Sequence, residues 1–141
     1  MTETKGARER TASCGCGKLT VTARGEHSEV HACSCLSCQR ESGSAFSYCA
    51  HYPKAAVSIA GERRVWRRHV DSGRWMETGF CPTCGGAVFS RSEISPETIG
   101  VAVGCYADPD SAKPERVYWN SRRHHWLRFP KGTELLESEP D

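Results

Sequence analysis

Apolar residues are scarce in this chain. They make up 38% of its 141 residues, aromatic residues 9%, and the mean hydropathy is −0.57. Such a chain can fold as one domain, but it has little apolar surface to bury. Long hydrophobic runs are missing as well. The most apolar stretch, Ile99 to Ala107, has nine residues, two of them glycine, roughly half of what a membrane helix requires. No membrane partner is therefore expected. The first ten residues are charged and contain no hydrophobic segment, so they do not read as a secretory signal and a cytoplasmic location is expected. Neither sign of charge is in excess: 19 Lys+Arg against 17 Asp+Glu give +2. That balance offers no case for a nucleic-acid partner. No phosphate-binding glycine loop, HExxH motif or Ser/His/Asp arrangement stands out.

Cysteine is what the chain has in excess: nine, at positions 14, 16, 33, 35, 38, 49, 81, 84 and 105. Seven of them form Cys-x-Cys (Cys14, Cys16), Cys-x-Cys-x-x-Cys (Cys33, Cys35, Cys38) and Cys-x-x-Cys (Cys81, Cys84). The odd count and the missing export signal argue against a disulfide framework. Residues two apart on an extended strand face the same way, so a Cys-x-Cys pair can converge on one ion. In a reducing compartment such clusters are metal sites. Zinc is the metal expected of thiolate-rich tetrahedral sites. Iron–sulfur centres also take four cysteines, but the ferredoxin spacings do not occur here. Cys81-Pro-Thr-Cys84 has the spacing of a thioredoxin-type redox pair, which needs a helix starting at its first cysteine. Gly85 and Gly86 follow directly; glycine is a poor helix former and instead permits the tight turn of a zinc knuckle.

Seven thiols divide naturally into four and three. A site with four protein ligands is closed and structural, whereas one with three keeps a position open for water or substrate. Spacing alone leaves open which cysteines join. The most economical division joins Cys14 and Cys16 with Cys81 and Cys84. It leaves the contiguous triplet Cys33, Cys35 and Cys38 to wrap one ion by itself.

The rest of the chain reads as many short strands. Leu19, Val21 and Ala23 share one face by alternation, as do Phe46, Tyr48, Ala50 and Tyr52. Thr98 to Tyr106 reads as a buried strand, and Glu62 to Val70 as a charged edge strand. No eleven-residue window keeps a 3.6-residue period, so the expectation is a mainly β domain with little helix. Residues 1–10 are expected to form a polar N-terminal tail, 11–131 one zinc-binding domain, and 132–141 an acidic C-terminal tail. Cys49 and Cys105 read as small buried hydrophobes, with a fourth-ligand role also weighed for Cys49. Arg63, Arg64, Arg67 and Arg68, with Arg122, Arg123, His124 and His125, read as a solvated edge. The alternative is capture of an acidic small molecule by Arg forks. His27 and His31 lie near the triplet and read either as surface residues or as acid/base groups.

The ordered motifs resemble a known family. Cys14-Gly-Cys16-Gly17, then Cys33-Ser-Cys35-Leu-Ser-Cys38-Gln-Arg40, Gly43-Ser-Ala-Phe46 and Gly79-Phe-Cys81-Pro-Thr-Cys84-Gly85 resemble the glutathione-dependent formaldehyde-activating enzyme family, also called the CENP-V/GFA domain. Val103-Gly-Cys-Tyr-Ala-Asp-Pro109, Val117-Tyr-Trp119 and His125-Trp126-Leu127 resemble its later elements. The likeness covers roughly residues 11–131. It departs at Ser34, where many members carry His, and at Cys105, where Thr or Ser is more usual.

The resemblance implies an Mss4-like fold of small twisted antiparallel sheets around zinc-bound cysteines. It implies a structural zinc on Cys14, Cys16, Cys81 and Cys84, and a catalytic zinc on Cys33, Cys35 and Cys38, two Zn2+ per chain. It also implies a carbon–sulfur lyase-type activity resembling S-(hydroxymethyl)glutathione synthase, in which a thiol such as glutathione adds to formaldehyde or another small aldehyde. A non-enzymatic zinc-binding interaction module of the same family is the rival expectation. The oligomeric state is left open.

Overall fold

The computed structural model describes residues 8–70 and 72–138. Residues 1–7 and 139–141, which fall in the two expected tails, lie outside that range. A small sheet is built from β1 (Glu9–Ser13), β2 (Thr20–Arg24) and β5 (Val57–Ala60), in the order β1-β2-β5. The large sheet contains β3 (Glu29–Cys33), β4 (Ser47–Pro53), β6 (Arg64–His69), β7 (Trp75–Phe80), β8 (Ala87–Ser92), β9 (Thr98–Ala102), β10 (Arg116–Tyr118) and β11 (Glu134–Leu135). Its order is β11-β10-β3-β4-β9-β8-β7-β6. The chain is mainly β, as the strand-like alternation indicates. Most pairings are antiparallel, but β10 runs parallel to both β3 and β11.

Three boundaries differ from the sequence expectation. Strand pairing begins at Glu9, inside the expected tail, because Glu9 and Arg10 pair with Arg24 and Ala23 of β2. At the other end, Glu134 and Leu135 dock on β10, so the acidic segment is partly paired rather than free. The buried strand from Thr98 stops at Ala102; Val103–Tyr106 tightens into a single 3-10 turn that ends at Ala107 in the left-handed region, φ 53. Val103 still points into the core. The segment read as a charged edge strand forms β6, which is the edge of the large sheet.

One helix, α1 (Leu36–Ser42), follows β3. It has only seven residues, too few to leave a helical period in the sequence. Its start is capped by the Cys35 sulfur, which accepts from the Cys38 amide at 3.3 Å. Its end is set by Gly43 in the left-handed region, a conformation glycine adopts without a Cβ clash.

The large sheet has two chemically distinct faces. Paired residues share a face, so the register fixes the partition. Val30, Ala50, Val101 and Phe89 face the small sheet and pack with Leu19, Val21 and Ala23 to form the core. Their strand neighbours point the other way: Glu29, His31 and Cys33 on β3; Ser47, Cys49 and His51 on β4; Gly100 on β9; Ser90 on β8. This second face is the floor of a cleft of 1230 Å³, whose rim includes α1, Tyr118 and Trp119.

Gly79 on β7 is a packing requirement of the core face. The Phe89 ring lies directly over its α-carbon, where a Cβ would stand. Gly79→Ala should therefore lower the stability by about 1–3 kcal/mol through overpacking. The double variant with Phe89→Leu should recover part of that loss in denaturant melts. An unchanged midpoint for Gly79→Ala would show that the ring moves aside freely.

Candidate metal centre

Two groups of thiols are preassembled among the described residues. The first unites Cys14, Cys16, Cys81 and Cys84, whose sulfurs all lie within 4.8 Å of one another. Cys14 and Cys16 sit in the turn from β1 to β2, and Cys81 and Cys84 in the turn from β7 to β8. The group therefore bridges the two sheets. Each turn is tightened by its own backbone: Gly17 N–H donates to the Cys14 carbonyl at 3.2 Å, and Gly85 N–H to that of Cys81 at 2.7 Å. Gly17 and Gly85 occupy φ 84 and φ 78, where a side chain would be strained. Cys81–Cys84 is thus a hairpin turn and not the start of a redox helix.

Two sulfurs of this group also accept backbone donors, Cys14 from Leu19 N–H at 3.3 Å and Cys81 from Thr83 N–H at 3.4 Å. The Leu19 amide is the main reason the Cys14 thiol is drawn down to about 6. Sulfur separations of 3.7 Å (Cys14–Cys16) and 3.6 Å (Cys16–Cys81) match the edge of a ZnS4 tetrahedron. With Zn–S bonds of about 2.3 Å that edge is about 3.8 Å. The donor set fits zinc.

The second group is Cys33, Cys35 and Cys38, again within 4.8 Å of one another. Cys33 ends β3 on the cleft face, Cys35 caps α1, and Cys38 lies one turn into it. The strand-to-helix turn thus folds three near neighbours in sequence onto one point. Cys33 and Cys38 are buried and Cys35 is half-buried. Three thiols so close cannot all ionise unaided. Hydrogen bonds from Cys33 and then Cys38 hold the Cys35 thiol well down, while Cys35 and Cys38 push the Cys33 thiol well up. A divalent cation at their centre resolves that conflict by favouring all three thiolates.

The other sequence candidates fall in different places. Cys49 faces the cleft beside Ser90, at 4.0 Å, but stands outside the triplet group, and burial pushes its thiol up to about 11. Cys105 donates to the Ala87 carbonyl at 3.3 Å and packs against the core. His27 contacts Glu115 at 3.5 Å, away from the triplet. His31 lies in the cleft, stacked on His51 with ring centroids 4.7 Å apart. Burial, with His31 next to it, holds the His51 imidazole down to about 4. Glu29 is held down to about 2, first by His31 and then by the Tyr118 hydroxyl at 2.9 Å. Arg63, Arg64 and Arg67 are exposed, as a solvated edge should be, but Arg68 turns into the cleft.

Sequence reading missed the supports of the triplet. Gln39, next to Cys38, donates from Nε2 to the carbonyls of Ser34 (2.8 Å) and Arg122 (3.0 Å). Its Oε1 lies 3.0 Å from His124 Nε2. One amide thus joins the triplet loop, α1 and the C-terminal segment. Trp119, at φ 55, packs against the buried cluster of Cys33, Cys38 and Tyr118. In the sequence Gln39 stands only as the residue after Cys38 in a family-like motif, and Val117-Tyr-Trp119 only as a late family-like element; neither carries a role there.

The sequence profile of the family described as glutathione-dependent formaldehyde-activating enzyme matches residues 9–122. Proteins of Aspergillus flavus and Aspergillus oryzae, named provisionally as glutathione-dependent formaldehyde-activating enzymes, are each 31% identical over 81 residues. Those alignments cover 57% of this chain and 42% of each relative, so the chain spans about two fifths of their length. A Penicillium rubens protein of the same name is 31% identical over 80 residues. The crystal structure of a Rhodobacter sphaeroides protein superposes with a TM-score of 0.53 at 20% identity, covering 72% of this chain and 90% of that one. This last likeness concerns the fold alone.

The role of Gln39 as a clasp is testable. Gln39→Ala leaves the Ser34 and Arg122 carbonyls without this donor and should cost about 1 kcal/mol. Amide hydrogen exchange over residues 120–128 should accelerate while the small sheet stays protected. Unchanged exchange in that segment would show that packing alone holds it.

Proposed function

The chain belongs to the glutathione-dependent formaldehyde-activating enzyme family, and from that premise we propose that it joins a small thiol to a small aldehyde at a zinc held by Cys33, Cys35 and Cys38. The observation that carries this reading is the count at the triplet: three sulfurs within 4.8 Å, at the wall of a cleft of 1230 Å³. Three protein ligands leave one tetrahedral position for an incoming group, and the cleft gives access to it. Cys14, Cys16, Cys81 and Cys84 make the closed set, which we assign to a second, structural zinc.

When bound, zinc at the triplet supplies a Lewis acid that ionises a thiol whose free pKa is about 8.5. The reaction adds the thiol sulfur to the carbonyl carbon, and its proton ends on the carbonyl oxygen, giving an S-hydroxymethyl adduct from formaldehyde. Glutathione is the thiol named by the family. The chain's own contribution is mainly placement. Cys33, Cys35 and Cys38 fix where the sulfur binds. The polar floor of Ser47, Cys49 and His51 offers hydrogen-bonding groups to the small partner. Tyr118 and Trp119 narrow the cleft beside the triplet.

The two thiol groups should respond differently to substitution. A structural zinc is worth about 10–16 kcal/mol, against a net domain stability of about 5–15 kcal/mol. Cys84→Ser should therefore give unfolded or insoluble protein. Cys35→Ser should keep the fold and lose one of two zincs, measured by metal analysis and circular dichroism. The reverse pattern would exchange the two assignments.

Thiol ligation has its own readout. With cobalt in the triplet, glutathione should shift the visible spectrum from three sulfur ligands toward four, with apparent affinity rising with pH as the bound thiol gives up its proton. The S-methylated thiol, which cannot ionise, should have little effect. Spectra unchanged at millimolar glutathione would favour the non-enzymatic zinc-binding module or an enzyme for a different thiol.

A further inference from the structure

Arg68 has no place in the reading given so far, yet its surroundings are built. It lies on β6, separated from β3 by four intervening strands in the sheet order. The sheet nevertheless curls far enough for its guanidinium to end beside α1. Arg68 Nε donates to Glu41 Oε2 at 2.8 Å, and its Nη2 lies 3.9 Å from Cys38 Sγ. The two charged side chains are only 13% and 23% exposed. Arg67, the next residue back, faces the opposite side of the strand, where it pairs with Glu77 at 2.6 Å and stacks on Trp75. Of the four arginines between 63 and 68, Arg68 is the one that lines the cleft.

We infer that Arg68 is a positioning residue that balances sulfur charge at the triplet and so favours an ionised sulfur over a neutral donor as the fourth ligand. The inference rests on reading the triplet as a metal site open to a thiol. A divalent ion with three thiolates carries one net negative charge. A fourth thiolate adds another; water, imidazole or a carbonyl oxygen adds none. The Arg68–Glu41 pair is neutral as a whole, but its positive end faces the sulfur, so it stabilises the four-sulfur state more than any neutral-ligand state. Its field is effective because the pair is largely withdrawn from water. Glu41 holds the Nε edge of the guanidinium and leaves the Nη edge toward sulfur, a division of one planar group that a lysine cannot reproduce.

The test uses the full chain with cobalt in the triplet and zinc in the four-cysteine group; Cys35→Ser provides the blank. Three ligands are titrated: glutathione, 2-mercaptoethanol, which has no carboxylate, and imidazole, which is neutral. In Arg68→Gln both thiols should bind about 10- to 100-fold more weakly, equivalent to about 1.4–2.8 kcal/mol, while imidazole changes less than about threefold. Competition with a chelator should show weaker cobalt retention, and Arg68→Lys should restore part of each loss. A loss confined to glutathione would overturn the inference by making Arg68 a receptor for the ligand's carboxylate. An equal loss of all three ligands would overturn it by making Arg68 merely structural. A wild-type protein that takes imidazole but neither thiol would remove the thiol reading itself. In that case the chelator competition still decides charge balance, because unchanged cobalt retention in Arg68→Gln would refute it.

Discussion

The meeting of Cys14 and Cys16 with Cys81 and Cys84 is the constraint on which the fold depends. One pair belongs to the hairpin turn of the small sheet, the other to a hairpin turn of the large sheet. Between the sheets lies a core made mostly of alanine, valine, leucine and isoleucine, with few large side chains. Small side chains bury little area each, at about 25 cal/mol per Å². A metal held by all four thiols would cross-link that end of the sandwich, doing what a larger core would otherwise do, and would hold the two sheets at a fixed angle. The cleft is the outer face of the large sheet.

That outer face follows from parity alone. In β3, residues 30 and 32 go to the core side, so 29, 31 and 33 must go to the cleft. The pairing of β3 with β4 and β4 with β9 propagates the partition, placing His31 beside Cys49 and His51 beside Gly100. A slip of one residue in β3 would bury Glu29 and His31 and expose Val30, so the apolar pattern that builds the core also locks the triplet's orientation. The packing of the core and the chemistry of the cleft are thus two consequences of one register.

Much of this was legible in the sequence, and for identifiable reasons. Cysteine spacing is a local signal, and the structure gathers the thiols in the same four-and-three division. Alternation at Leu19, Val21 and Ala23, and at Ala50 and Tyr52, reports burial directly because each strand has one buried face. The helix α1 was not legible: it is too short for a period and begins on a cysteine cap. The 3-10 turn at Val103–Tyr106 was hidden because its residues are as apolar as the strand before it. Arg68 was submerged in a run of similar residues. Alternation could separate it from Arg67, but only the curl of the sheet distinguishes an arginine beside α1 from one in water. Gln39 fared likewise, since its partners Arg122 and His124 are more than 80 residues away.

The two thiol groups differ in where their support comes from, and this bears on how the molecule assembles. In the four-cysteine group Cys14 and Cys81 accept from amides of their own hairpins, Leu19 and Thr83. The two halves meet where the hairpins dock, with the Cys16 and Cys81 sulfurs 3.6 Å apart. The triplet is contiguous, but its surroundings are remote: Arg68 arrives from the far edge of the sheet, and Arg122 and His124 arrive through Gln39. Such long-range contacts carry a loop-closure cost that local ones do not. The sulfurs of the triplet are thus a local arrangement, whereas its charged partner and its clasp exist only where β6 and the C-terminal segment are in place. The geometry of the thiols is written in one short stretch of chain, but the electrostatics around them is a property of the whole fold.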